Sequence, residues 1–124
     1  MTDKERDDYF KLTPEQREMY DDLKRTKPHW SHNQIIIKIK MDATTIDIID
    51  KKGGTLNPET IVEDPSFLKQ VLEGTKNALY EAGIFIAEVF EVLDNAISQL
   101  RCLIMSGVRY IGNKLSEFWD WLTS

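Results

Sequence analysis

From residue 66 onwards the apolar and small positions fall in a regular rhythm. Leu68, Leu72, Thr75, Leu79, Ala82, Ile86, Val89, Leu93, Ala96, Leu100 and Leu103 are separated alternately by four and three residues, which is the seam of a heptad repeat. Val71, Ala78, Phe85 and Val92 flank the seam and widen it into the kind of face that packs in a bundle. After Leu100 the spacing becomes four, four, three through Ile104, Val108 and Ile111. This is a stutter that unwinds a supercoil locally. The stripe resumes at Leu115, Phe118 and Leu122. No proline interrupts residues 66–124, and one unbroken helix of that length would extend about 85 Å. The pattern therefore predicts either a long helix that finds its partner in another chain, or a hairpin broken near Gly83 or at Ser106-Gly107.

The first half is less regular but better punctuated. Residues 1–12 are polar and densely charged and read as a flexible N-terminus with Tyr9 and Phe10 as anchors. Thr13-Pro14-Glu15-Gln16 then combines a helix cap, a proline suited to the first helical position and the glutamine of a capping box. The helix it opens runs to about Thr26, and Pro28 ends it. Ser31-His32-Asn33-Gln34 is a second capping box, leading into Ile35, Ile36 and Ile39. A third, short helix is expected from Asp42 through Ile46 and Ile49, with a stop at Lys51-Lys52-Gly53-Gly54. A strand competes here, because Ile35, Ile37, Ile39 and Met41 alternate with their neighbours, but cap signals at both ends favour helices. Asn57-Pro58-Glu59 reads as a single turn in a linker, and Asp64-Pro65 opens the longest element.

These elements predict an all-α fold: a small N-terminal helical head followed by a long heptad-patterned helix, or helical hairpin, that oligomerises. The expected organisation is a flexible segment at 1–12, a helical head at 13–54, a linker at 55–64 and a helical interaction region at 65–124. At 124 residues with 41% hydrophobic and 30% charged positions, the chain can bury a modest core.

Charge sharpens the division. Residues 1–23 carry a net −4, residues 24–52 a net +4 and residues 53–124 a net −5. A basic middle thus lies between acidic flanks, and the overall −5 argues against a surface uniformly adapted to nucleic acid. The charged N-terminus does not read as a signal peptide and no apolar run reaches the roughly 18 residues of a membrane span, so the expected location is cytoplasmic.

Spacings that support catalysis are missing. His29 and His32 stand three apart without further Cys or His nearby and read as surface histidines rather than half of a zinc site. The single Cys102 cannot form an intramolecular disulfide, has no neighbouring histidine, and reads as a packed structural thiol. Adjacent acids such as Asp7-Asp8, Asp21-Asp22 and Glu63-Asp64 are expected to be solvated rather than paired in a cleft. Gly53-Gly54 lacks the spacing of a phosphate loop. No enzyme activity, cofactor or metal is expected.

The basic segment carries the one motif with a mechanism. Residues 31–51 resemble a helix-turn-helix, with Ile35 and Ile39 packing across a turn anchored by Met41 onto Ile46 and Ile49. The resemblance implies that Asp42 caps a recognition helix whose Ala43, Thr44, Thr45, Asp47 and Lys51 face a major groove. It further implies that Lys24, Arg25, Lys27, Lys38 and Lys40 meet phosphates. A DNA-binding regulator is one expectation. The other is a protein-binding adaptor or inhibitor, which uses the apolar helical face of Leu68, Leu72, Leu79, Ile86, Val89, Leu93, Leu100, Phe118, Trp119 and Leu122 to engage itself or another protein. The terminal Phe118-Trp119-Asp120-Trp121-Leu122 suits a bundle cap or an interface hot spot. A membrane partner is disfavoured by the acidic balance of this half.

Overall fold

The computed structural model describes residues 1–51 and 65–107. Among these the protein is all-helical: α1 Asp3–Phe10, α2 Pro14–Thr26, α3 His32–Lys51, α4 Pro65–Ala82 and α5 Ala87–Met105. The turn expected at residues 57–59, the glycine stop at 53–54 and the terminal aromatics lie outside the described residues. None of the described helices is long and apolar enough to cross a membrane.

The capping boxes read from the sequence form as written. In α2 the Thr13 hydroxyl accepts the Gln16 amide, and the Gln16 side-chain oxygen accepts the Thr13 amide, both at 3.2 Å. Before α3, Ser31 and Gln34 make the same exchange at 3.2 and 2.6 Å. Each box satisfies two amides that a helix start leaves without partners.

Two sequence expectations fail in this half. The N-terminal segment is a helix, capped by Thr2, whose hydroxyl accepts the Glu5 amide at 3.1 Å. The expected turn at Met41 does not form, and α3 runs unbroken from His32 to Lys51. The reason lies in the isoleucines. Ile35, Ile36, Ile37 and Ile39 are all fully buried, and consecutive helical positions point about 100° apart. Such a run requires cover on more than one side. It finds α2 on one side and α4 on the other, so the apparent strand-like alternation belongs to an enclosed helix. Ile46, assigned to the inner face of a second helix, is 58% exposed. The Lys40–Gln16 hydrogen bond places the N-terminal end of α2 level with Lys40, and α2 does not reach Ile46.

The C-terminal region is a hairpin, with the break at Gly83. Gly83 has φ +74°. Its amide bonds the Tyr80 carbonyl at 3.0 Å, and the Ile84 amide bonds the Leu79 carbonyl at 2.9 Å. These are the paired bonds of a Schellman cap, and the apolar residues that flank the glycine at its two key positions, Leu79 and Ile84, are both buried. Gly107, φ +77°, ends α5 in the same conformation. With the chain folded back, α4 and α5 pack on each other. Leu68, Leu72, Thr75, Leu79, Val89, Leu93, Ala96, Leu100 and Leu103 become interior. The heptad seam is therefore closed within one chain, where it joins α3 in a single core.

Candidate interaction surfaces

The residues assigned to DNA do not form one surface. Lys24, Arg25 and Lys27 are exposed at the C-terminal end of α2. Arg25 is bridged to Asp22 at 3.0 Å, and the Lys27 ammonium stands 6.0 Å from the centre of the Trp30 ring. Lys51 occupies the far end of α3, which at 20 residues extends about 30 Å. Between them, Lys38 is paired with Asp42 at 3.1 Å. The Thr45 hydroxyl bonds the Met41 carbonyl of its own helix at 2.8 Å. Thr44 is buried where α3 crosses α4, close enough that a Cβ on Gly74 would lie 2.5 Å from its methyl group. Lys40 is also buried. Its ammonium donates to Gln16 Oε1 at 3.2 Å, and burial lowers its pKa. Helix α3 is continuous through Met41, without the turn that would set a second helix apart.

The apolar interface set fares similarly. Leu68, Leu72, Leu79, Val89, Leu93 and Leu100 are buried in the chain's own core, and Ile86 is half-buried beside the turn. These five leucines and one valine are not available to another chain in this fold. Phe118, Trp119 and Leu122 lie outside the described residues. Cys102, expected to be packed, is exposed, because Leu100 and Leu103 take the inward positions on that turn of α5.

What the hairpin does present is aromatic. Tyr80 is 52% exposed and Phe85 56%. Tyr80 stacks edge-on with Phe85 at 5.6 Å between ring centres and at a tilt with half-buried Phe90 at 4.7 Å. These distances match favourable aromatic pairs, so the cluster is preformed. It sits at the elbow between α4 and α5. From Tyr80 an open groove of about 590 Å³ continues along the two helices past the Lys76–Asp94 pair to Ile97, Ser98 and Arg101. Glu81, Glu88 and Glu91 are exposed around the elbow. The head touches it too: the Lys11 ammonium donates to the Gly83 carbonyl at 2.8 Å, and the preceding Phe10 is 63% exposed. Sequence reading placed Phe85 only as a flank of the seam and did not single out Tyr80 or Phe90. Their signal was present as aromatics off the seam, converging on a helix-breaking glycine.

A second constellation is buried. Asp8, Tyr20 and His32 come from α1, α2 and α3, and all three are enclosed. Asp8 Oδ1 accepts from Lys4 Nζ at 2.6 Å, and Asp8 Oδ2 lies 3.1 Å from His32 Nε2. His32 Nδ1 lies 2.8 Å from the Tyr20 hydroxyl. Every contact is satisfied if Tyr20 donates to Nδ1 and Nε2–H donates to a carboxylate. His32 is thus not the surface residue its position before the isoleucines suggested, whereas His29 is exposed. Among the described residues no group of three or more His, Cys, Asp or Glu is arranged to hold a metal.

Burial, reinforced by the charges of Glu5, Asp21 and Asp8 and by Tyr9, pushes the Tyr20 phenol up to about 12 from its ordinary 10.0. Between those values the unfolded chain releases this proton while the native chain keeps it. Stability that is fully present below pH 10.0 is therefore lost as pH rises towards about 12. Lys40, with a lowered pKa, acts in the opposite sense. Comparing wild type with Tyr20→Phe cancels the lysine. The variant is expected to show a shallower alkaline fall in Tm, and an unchanged slope would remove Tyr20 as its source.

Comparison with protein-family models, with curated proteins and with solved structures finds no match.

Proposed function

We propose that this chain is a non-catalytic protein-interaction module that docks a partner protein on the aromatic elbow of its C-terminal hairpin. The exposed Tyr80–Phe85 pair, backed by Phe90, carries this reading. Rigid aromatic clusters supply large apolar area at low conformational cost and dominate binding energy where they recur at interfaces. The groove running on from Tyr80 would guide an extended or helical segment of the partner, and the glutamates around the elbow favour one bearing basic residues. The DNA reading draws less support, since α3 runs without a turn at Met41, Thr44 and Lys40 are buried, and the basic cluster of Lys24, Arg25 and Lys27 lies at the C-terminal end of α2, far from Lys51.

A photo-reactive phenylalanine analogue at position 85, in the full chain expressed in its native cells, tests the proposal. A discrete adduct is expected at position 85 and not at Ile46, which is comparably exposed. Tyr80→Ser introduced alongside should abolish it, with thermal stability nearly unchanged because exposed positions contribute little. An adduct of twice the 14.4 kDa chain mass would identify the partner as a second copy; a different increment, another protein. Equal labelling at positions 85 and 46 would reject the elbow as the site.

A further inference from the structure

We propose that α1 is a releasable arm, held to the body of the protein by a polar latch and able to undock while α2–α5 stay folded. The inference is independent of what binds the elbow. Helix α1 reads Asp-Lys-Glu-Arg-Asp-Asp-Tyr-Phe and has no apolar stripe. Its one buried residue is Asp8, whereas α4 and α5 each bury six or more residues, nearly all of them apolar. A helix normally holds its place by burying an apolar face. Helix α1 instead holds by Asp8, which reaches into the body to meet His32 and, through it, Tyr20.

The remaining contacts are one ring packing and two polar ties. The Tyr9 ring packs edge-on against Tyr20 at 5.2 Å, and its hydroxyl donates to Asp21 at 3.1 Å. Lys11 ties the end of the arm to the Gly83 carbonyl. The first strongly apolar anchor is Leu12, 3% exposed, one residue beyond that tie. It supplies a fixed point about which the arm can swing.

Undocking a helix of this kind exposes the facing rings of Tyr9 and Tyr20 and otherwise little hydrocarbon. It exchanges hydrogen bonds within the protein for hydrogen bonds to water, so that neutral bonds contribute little net and those to the Asp8 carboxylate contribute most. Opening the arm therefore requires much less free energy than opening the core, and the two become separate events. When the arm opens, Tyr20 and His32 lose their cover and the tie to the elbow is cut. Release of the arm therefore acts on the Tyr20–His32 pair and on the elbow together.

Native-state hydrogen exchange on the full-length chain, followed across low concentrations of denaturant, tests this. In the wild type, α1 amides should exchange through an opening with little denaturant dependence, while α3 and α4 amides exchange only through global unfolding. Asp8→Asn keeps the shape and removes the charge. It should raise the α1 opening constant by about tenfold or more, the scale of a charged hydrogen bond, and leave α3 and α4 protection in place. Lys11→Met, which cuts only the exposed tie, should raise α1 exchange by a smaller factor without affecting the fold. The proposal is overturned if wild-type α1 amides follow the denaturant dependence of α3. It is equally overturned if Asp8→Asn lowers protection uniformly, or if neither variant changes α1 exchange.

Discussion

Leu93→Asp is expected to unfold this protein, not to divide an assembly. Leu93 is fully buried in a hairpin whose two helices and α3 share one apolar cluster. Truncation to alanine at such a site costs about 2.7–5 kcal/mol. Aspartate adds the desolvation of a charge with no partner provided for it, a further several kcal/mol. A domain of this size holds roughly 5–15 kcal/mol in all, so the substitution removes most or all of it. Far-ultraviolet circular dichroism of the variant should show loss of helix at room temperature. A variant that remained helical and cooperative but halved in mass by light scattering would show that the heptad seam joins chains, contrary to the packing described above.

The second large effect lies where α3 and α4 cross. Gly74 is in mid-helix, where alanine would ordinarily stabilise by up to about 1 kcal/mol. A Cβ placed there, however, meets the Thr44 methyl at 2.5 Å. Thr44 is buried and β-branched, so relief requires a change of its χ1 rotamer or a separation of the helices. Overpacking of this kind costs about 1–3 kcal/mol. Gly74→Ala is thus expected to lower stability despite the gain in helix propensity. Thr44→Ala, which deletes the obstructing methyl, should restore the gain. Urea denaturation of the two single variants and the double variant measures the coupling. Additive effects would mean that the helices part here without resistance.

Much of this architecture was legible in local sequence. Thr13-Pro14-Glu15-Gln16 and Ser31-His32-Asn33-Gln34 start helices because a cap is decided by residues within one turn. Gly83 ends α4 for a reason of the same kind. The heptad spacing correctly marks an inward face, but spacing does not say whether the facing helix comes from the same chain. That depends on a reversal that Gly83 permits and that packing completes.

Residues 32–51 are helical as read, but the turn expected at Met41 failed because a window of isoleucines carries no information on how many neighbours surround it. A helix enclosed on two sides loses the periodicity from which a face is read. Lys40, where the helix-turn-helix pattern carries a turn, proves to be a helical residue covered by Gln16. The Asp8–His32–Tyr20 chain joins residues 12 and 24 positions apart across three helices, so no local motif announces it. The aromatic elbow was partly visible, since Phe85 lies two residues from Gly83, but only the turn geometry brings Tyr80 and Phe90 to it.

The enclosure of α3 also bears on what counts as a part of this molecule. Its isoleucines supply one wall of the packing with α2 and one wall of the packing with α4. A chain divided after Lys51 would leave the first fragment with an uncovered isoleucine face and the second with an uncovered hairpin. Neither would be a finished object, and each would be the other's natural complement. The charge map separates a basic middle from an acidic end, but the hydrocarbon does not respect that border. One apolar cluster thus draws on α2 to α5 together, and the fully buried isoleucines of α3 stand in its middle.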